Sequence, residues 1–175
     1  MLAHNTAVAT VMSNLGLFRA LDAAGIGYDV TPVGDRFLWE SMAKNGYRIG
    51  AEQSGHVILS KYATTGDGIL TAIMLTETVL NKKTSLSKLA ADVRMLPQMT
   101  KNLRVVSKPK VMENAEIKDM IKRLSENELA NGRILLRQSG TEPVVRVMVE
   151  ADTKQDCATY ADMVIERIKE LGLHE

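Results

Sequence analysis

The chain has 175 residues, of which 45% are hydrophobic and 25% are charged, a composition typical of a soluble protein with one large domain or two small ones. Its 22 basic and 21 acidic residues are spread along the sequence and leave a net charge of +1, so neither a nucleic-acid nor a membrane partner is indicated. A single cysteine, the lack of any run of about 18 apolar residues and the lack of a signal peptide predict a cytoplasmic protein whose partner is a small molecule.

The first part of the chain, to about residue 80, alternates candidate strands with candidate helices. Ser13 or Asn14 can cap the first helix, and Gly25 and Gly46 are placed to end the first two helices in the left-handed conformation. This alternation predicts a layered α/β domain with ligand-binding loops at the ends of its strands. The predicted strands are 7–12, 28–33, 48–50 and 57–60, and the predicted helices end near residues 24, 45 and 80.

The loop at 50–56 carries more polar groups than a turn needs. Glu52, Ser54 and His56 offer a carboxylate, a hydroxyl and an imidazole, and one carboxylate can accept hydrogen bonds from two neighbouring sugar hydroxyls. We therefore predict that this loop binds a polyhydroxylated ligand. The alternative is that Glu52 and Ser54 bond to the backbone of their own turn and that His56 packs at the start of a strand.

Two further polar loops precede helices. Asp35 and Arg36 lie where the second helix begins and Asp67 lies where the third begins, so helix capping can explain these residues without a ligand. The loop around Asp67 also lacks the lysine and the spacing of a P-loop. We keep Asp35 and Arg36 as secondary candidates for the ligand site.

The sequence changes character between its two parts. A charged break at 81–83 and a proline at position 97 indicate a boundary. We predict an α/β domain at 1–85, a linker at 86–99 and a second domain at 100–175.

The second domain is predicted to be α+β, with helices packed on one face of a small antiparallel sheet. In its last strand, Val145, Val147 and Val149 alternate with Arg146 and Met148, which indicates a strand with one buried face. The predicted strands are 103–106, 133–136 and 144–149, and the predicted helices are 113–127 and 154–171.

Between the last two strands lies the polar loop Arg137-Gln138-Ser139-Gly140-Thr141-Glu142-Pro143. Strands at both of its ends can hold it rigidly. Arg137 can form two parallel charge-assisted bonds, Ser139 and Thr141 supply hydroxyls, and Gly140 lets backbone N–H groups approach a ligand. This chemistry predicts an oxyanion site, with phosphate as the first choice. The alternative is an ordinary hairpin turn, for which the same residue types are common.

In combination, these loops resemble those of the α-D-phosphohexomutases, and within that family those of the bacterial phosphoglucosamine mutases, to which Gln53 points. The matching segments occur in the family's order along nearly the whole chain. They are Thr10-Val11-Met12-Ser13-Asn14, Val33-Gly34-Asp35-Arg36, the loop at 50–56, Thr64-Thr65-Gly66-Asp67-Gly68, and the loop at 137–143 with Arg146.

The resemblance implies that the chain is a C-terminal piece of such an enzyme, with most of its third domain and all of its fourth. The family's glucosamine branch interconverts glucosamine 6-phosphate and glucosamine 1-phosphate through glucosamine 1,6-bisphosphate. The implied sugar-binding residues are Glu52, Ser54 and His56, and the implied residues for the phosphate that is not transferred are Arg137, Ser139, Gly140, Thr141 and Arg146.

The family's phosphoserine loop and its magnesium-binding aspartate loop do not occur in this sequence. We therefore assign no catalytic residue and no metal ligand to the chain and expect it to be inactive alone. Mg²⁺, the bisphosphate and the missing N-terminal domains would belong to the full-length enzyme, for which a homodimer is one option. A phosphomannomutase/phosphoglucomutase relative and a non-catalytic sugar-phosphate binding protein remain as alternatives.

Overall fold

The computed structural model describes residues 2–129 and 131–175, which form two compact units. The chain divides between Met95 and Leu96, so that unit 1 precedes this point and unit 2 follows it. Every helix in the described residues is too short or too polar to cross a membrane.

Unit 1 contains a mixed four-stranded sheet. Its strands are β1 (Thr6–Thr10), β2 (Gly27–Thr31), β3 (Ile49–Ala51) and β4 (Val57–Leu59), in the spatial order β2-β1-β3-β4. The central strand β1 runs parallel to β2 and β3, whereas β3 and β4 form an antiparallel pair. This sheet and its helices confirm the predicted α/β class.

The first and third helices of unit 1 begin at side-chain caps that the sequence predicted, whereas the second begins at Gly34 without a side-chain cap. Asn14 accepts a hydrogen bond from the Gly16 N–H, and Asp67 accepts one from the Leu70 N–H. The core combines Val8 and Ile58 of the sheet with Leu38 and Met42 of the second helix. The helices are α1 (Leu15–Ala23), α2 (Asp35–Asn45), α3 (Gly68–Lys82) and α4 (Leu86–Leu89), after a 3₁₀ turn at Ala3–Asn5.

Unit 2 contains three strands, β5 (Gln98–Arg104), β6 (Arg133–Gln138) and β7 (Val144–Glu150). They form an antiparallel sheet in the order β5-β7-β6, which confirms the predicted α+β class. Its helices are α5 (Lys108–Glu113), α6 (Ala115–Arg123) and α7 (Lys154–Glu170), and a π-helical turn at Leu124–Glu128 follows α6.

Two element boundaries in unit 2 differ from the prediction. The strand predicted at 103–106 begins at Gln98, because each residue from Gln98 to Arg104 pairs with β7. The helix predicted at 113–127 is broken at Asn114, whose backbone is extended and whose side chain accepts a hydrogen bond from the Ile117 N–H. Asn114 therefore ends α5 and caps α6, which a continuous apolar period does not reveal.

The core of unit 2 lies between one face of this sheet and the helices. Val145, Val147 and Val149 are buried together with Cys157 and Ala161 of α7. The prediction of a single buried face for β7 was nevertheless wrong, because Met148 and Glu150 on the opposite face are also fully buried. Met148 lies between its in-register partners Thr100 and Leu135 on the neighbouring strands.

Glu150 is a buried charge with partners on both sides of β7. The Arg133 Nε atom lies 2.7 Å from one carboxylate oxygen of Glu150, and the Gln98 Nε2 atom lies 3.0 Å from the other. Arg133 and Gln98 are the residues paired with Glu150 in the sheet register. A fully buried carboxylate requires such bonds, so this cluster ties the three strands together at one end.

Arg133→Met should destabilise unit 2 by about 3 kcal/mol, because it leaves the buried Glu150 carboxylate without its cationic partner. The matched control is Arg104→Met, which breaks the exposed pair between Arg104 and Glu175 and should cost less than about 1 kcal/mol. Urea-dependent hydrogen exchange at the β7 amides measures both values. Equal effects of the two substitutions would contradict a structural role for the buried pair.

Candidate functional site

The first candidate site is the turn between β3 and β4 in unit 1. Its backbone closes through bonds from the Glu52 N–H to the His56 carbonyl, 2.9 Å, and from the Gly55 N–H to the Glu52 carbonyl, 3.0 Å. The Glu52 side chain is only 9% exposed, and its Oε1 atom accepts a hydrogen bond of 2.6 Å from the Gly34 N–H. Glu52 thus joins its own turn to the loop before α2.

Ser54 and His56 complete a connected polar group around Glu52. The Ser54 hydroxyl oxygen lies 3.2 Å from the Glu52 Oε2 atom and 2.9 Å from the His56 Nδ1 atom. The Asp35 Oδ1 and Glu52 Oε2 atoms each lie 3.9 Å from the same imidazole nitrogen. The group offers carboxylate acceptors beside a hydroxyl and an imidazole, which suits a ligand with several hydroxyl groups.

The two secondary candidates differ in position. Asp35 lies within this polar group, whereas the Arg36 Nε atom bonds at 2.6 Å to Glu40 on the next turn of α2. The Arg36 side chain is 80% exposed. Gly66, in the loop before α3, lies against His56 and brings a third loop to the group.

Gly34 is needed at this site for its backbone conformation. Its φ of 134° lies in a region that residues with a side chain rarely adopt. In this conformation the Gly34 N–H donates a hydrogen bond to the Glu52 carboxylate. The position of Glu52 therefore depends on a glycine that is 18 residues away along the chain.

The same group is a candidate metal site. Asp35, Glu52 and His56 bring three candidate ligand atoms within 4.8 Å of one another. Both Glu52 oxygens already accept hydrogen bonds, one from Gly34 and the other from Ser54, and the third candidate is an imidazole. Mg²⁺ prefers a near-octahedral set of oxygen ligands, so these residues do not fit it.

The second candidate site is the loop between β6 and β7 in unit 2. The Ser139 N–H donates to the Val144 carbonyl at 3.0 Å, and the Ser139 hydroxyl oxygen accepts a bond of 3.2 Å from the Glu142 N–H. Ser139 is buried, while Gly140 and Thr141 are exposed at the tip of the loop. A Cβ atom added to Gly140 would meet nothing within 4 Å, so the backbone of Gly140 is open to a ligand.

Two arginines face each other at the base of this loop. Arg137 of β6 and Arg146 of β7 are paired in the sheet register, so their side chains lie on the same face. The Nε atoms of both are buried, and neither has a hydrogen-bond partner among the described residues. Burial and, second, the charge of Arg146 lower the pKa of the Arg137 guanidinium. The Arg146 Nη2 atom also bonds at 3.0 Å to the exposed Glu142 carboxylate. Two neighbouring guanidinium groups whose buried Nε atoms lack acceptors still create a site for an anion.

One residue at this site was missed by the sequence analysis. The Lys108 ammonium group donates to the Ser139 carbonyl at 2.8 Å and to the Glu142 carbonyl at 3.2 Å. Lys108 is the first residue of α5 and lies 31 residues before Ser139, so no local pattern connects them. Only the packing of α5 beside the sheet places its ammonium group under the loop.

Comparison with protein families matches both units. The model for the phosphoglucomutase/phosphomannomutase alpha/beta/alpha domain III matches residues 1–95, and the model for the C-terminal domain of the same family matches residues 101–167.

Curated relatives are similar over nearly the whole chain. The phosphoglucosamine mutase of Lachnospira eligens is 53% identical over 171 residues, and that of Bacillus cereus strain AH187 is 48% identical over 168 residues. The alignments cover 98% and 96% of this chain but 38% of each relative. The chain thus spans well under half the length of the curated relatives that it matches.

Solved structures share the fold. An N-acetylglucosamine-phosphate mutase in a substrate complex superimposes with a TM-score of 0.75 at 23% identity, over 93% of this chain and 38% of that one. The N-acetylphosphoglucosamine mutase of Aspergillus fumigatus, in complex with GlcNAc-6P and magnesium, gives a TM-score of 0.74 at 18% identity, over 95% and 39% of the two chains.

Arg137→Met should leave the stability of unit 2 unchanged or raise it by up to about 1 kcal/mol, because it removes a partly buried charge that faces a like charge. Methionine retains the apolar stem. The contrast is Arg133→Met on the same strand, where the arginine has an acidic partner. Hydrogen exchange at the β7 amides measures the change in unfolding free energy. A decrease of more than about 2 kcal/mol would mean that Arg137 stabilises the fold and is not reserved for a ligand.

Proposed function

Because the chain belongs to the phosphoglucomutase/phosphomannomutase family, we propose that it is the sugar-phosphate-binding part of a phosphoglucosamine mutase, which interconverts glucosamine 6-phosphate and glucosamine 1-phosphate. The observation that carries this proposal is the pair of opposed guanidinium groups, Arg137 and Arg146, at the base of an open loop. The sequence identity of 53% and 48% to curated phosphoglucosamine mutases supports glucosamine phosphate as the substrate.

In this proposal, unit 2 binds the phosphate that is not transferred. Arg137 and Arg146 supply the charge, Gly140 and Thr141 supply backbone N–H groups, and the buried Ser139 shapes the loop. A phosphate dianion would end the repulsion between the two arginines. Arg146 already holds one carboxylate, since its Nη2 atom lies 3.0 Å from the exposed Glu142 side chain. An arriving phosphate would compete with this carboxylate.

Unit 1 would bind the sugar. The Glu52 and Asp35 carboxylates accept hydrogen bonds from hydroxyl groups, while Ser54 and His56 donate or accept as the ligand requires. Holding a substrate in a fixed position lowers the entropic part of a reaction barrier. Binding and orientation are therefore the contributions that we assign to this chain.

We assign the phosphoryl transfer itself to other parts of a longer protein. Mg²⁺ and glucosamine 1,6-bisphosphate would act there, since the group of Asp35, Glu52 and His56 does not fit Mg²⁺. Among the structural relatives, an Aspergillus fumigatus enzyme variant was solved with glucose 1,6-bisphosphate. The N-terminal domains would be this chain's partners, with a homodimer as a further option. The free thiol of the buried Cys157 agrees with a cytoplasmic location.

A chimera tests the proposed activity. This chain replaces the matching 38% of the Bacillus cereus phosphoglucosamine mutase, to which it is 48% identical. The chimera should convert glucosamine 6-phosphate to glucosamine 1-phosphate, and its kcat/KM for this substrate should exceed those for glucose and mannose phosphates. The 175-residue chain alone should show no turnover.

The controls separate folding from function. A folded chimera, judged by its circular dichroism and a single elution peak, that is inactive on all three sugar phosphates would overturn the proposal. A preference for glucose or mannose phosphates would instead assign the chain to the phosphoglucomutase/phosphomannomutase alternative.

Two substitutions in the chimera should affect different parts of the ligand. Glu52→Gln can still accept the bond from Gly34 but loses its charge, so it should lower kcat/KM while the inhibition constant of inorganic phosphate stays the same. Arg137→Ala should also weaken the binding of inorganic phosphate, by about 2–3 kcal/mol, which is the scale of a lost charge-assisted contact. Equal loss of phosphate inhibition in both variants would contradict the division of roles between the loops.

A further inference from the structure

Lys108 has an unusual set of partners. Its ammonium group bonds to two main-chain carbonyls, those of Ser139 and Glu142, at opposite ends of the loop tip. No carboxylate within residues 2–129 and 131–175 lies within ion-pairing distance of it. The half-buried ammonium group is therefore held by carbonyl oxygens and not by an ion pair, while α5 packs into the core through the buried Val111.

The two carbonyl bonds fix the span of the loop. Together with the bond from the Glu142 N–H to the Ser139 hydroxyl, they fix the distance between residues 139 and 142. The backbone of Gly140 is open, because a Cβ atom added there would meet nothing within 4 Å. In the part of the chain that the structure describes, neither the Gly140 N–H nor the Thr141 N–H donates to a protein acceptor.

We propose that Lys108 is a positioning residue that holds the 139–142 loop in its anion-binding shape and strengthens the Gly140 N–H as a donor to phosphate. This inference rests on the proposed function of the same loop. The Ser139 carbonyl and the Gly140 N–H belong to one trans peptide unit, in which they point in opposite directions. A cation at the carbonyl end polarises the unit and makes its N–H a better donor at the other end.

The geometry also excludes a direct contact as the main role of Lys108. The ammonium group lies at the carbonyl end of the 139–140 peptide, whereas an anion bound to the Gly140 N–H lies at the other end. The bond to Glu142 has a different effect, because the next residue is Pro143, which has no N–H to polarise. That second bond contributes only to the shape of the loop.

The test is a titration of the ¹⁵N-labelled 175-residue chain with inorganic phosphate, followed at the Gly140 and Thr141 amide resonances. Lys108→Met removes the ammonium group, Lys108→Arg keeps a cationic donor, and Lys110→Met removes an exposed lysine from the same helix. We expect Lys108→Met to raise the phosphate dissociation constant about tenfold, the scale of one lost charge-assisted bond. We expect Lys108→Arg to restore most of the affinity and Lys110→Met to match the wild type.

The free-state spectra give a second readout. Without phosphate, Lys108→Met should shift the Gly140 amide proton upfield, as expected for a weaker donor, while the β7 amides keep their positions. Movement of the β7 resonances as well would show a general structural role and overturn the proposal. Unchanged phosphate affinity together with an unchanged Gly140 shift would overturn it and leave the proposed function intact. A wild-type chain whose loop does not respond to phosphate would overturn the proposed function and this inference with it.

Discussion

The opposition of Arg137 and Arg146 across β6 and β7 is the feature on which the proposed phosphate site depends. Antiparallel pairing places the two side chains directly opposite each other, and like charges in such positions destabilise a sheet. The fold relieves this repulsion only in part, through the bond from Arg146 to the exposed Glu142 carboxylate. Both Nε atoms are buried, and neither has a partner among the described residues. A protein can retain such an arrangement where a ligand of opposite charge completes it. The open backbone of Gly140, next to these arginines, gives that ligand access.

At the other end of the same strands lies an arginine whose acidic partner is part of the fold. Arg133 lies on the same face of β6 as Arg137, four residues earlier, yet it faces Glu150, which accepts its bond at 2.7 Å. The two arginines share strand, face and residue type, but Arg133 faces a carboxylate whereas Arg137 faces a second arginine. In unit 1 the site also depends on a residue far away in the chain, because the Gly34 N–H binds the nearly buried Glu52 carboxylate.

Features that depend on near neighbours in the chain could be predicted from the sequence. Asn14 and Asp67 cap their helices, and the two sheet classes followed from the spacing of apolar residues. Features that depend on a distant partner could not. The start of β5 at Gln98 is set by pairing with β7, and Lys108 reaches the loop only because α5 packs beside the sheet. The burial of Met148 on the second face of β7 likewise has no signal in an alternating pattern.

A crystal structure of the chain grown with saturating glucosamine 1-phosphate would show whether a phosphate group matches the charge of Arg137 and Arg146. We expect the phosphate oxygens to lie within hydrogen-bond distance of both guanidinium groups and of the Gly140 and Thr141 N–H groups. We also expect Glu142 to move away from Arg146. A phosphate bound elsewhere, or a loop without an anion in which both arginines keep their present surroundings, would contradict the assignment of this loop to phosphate.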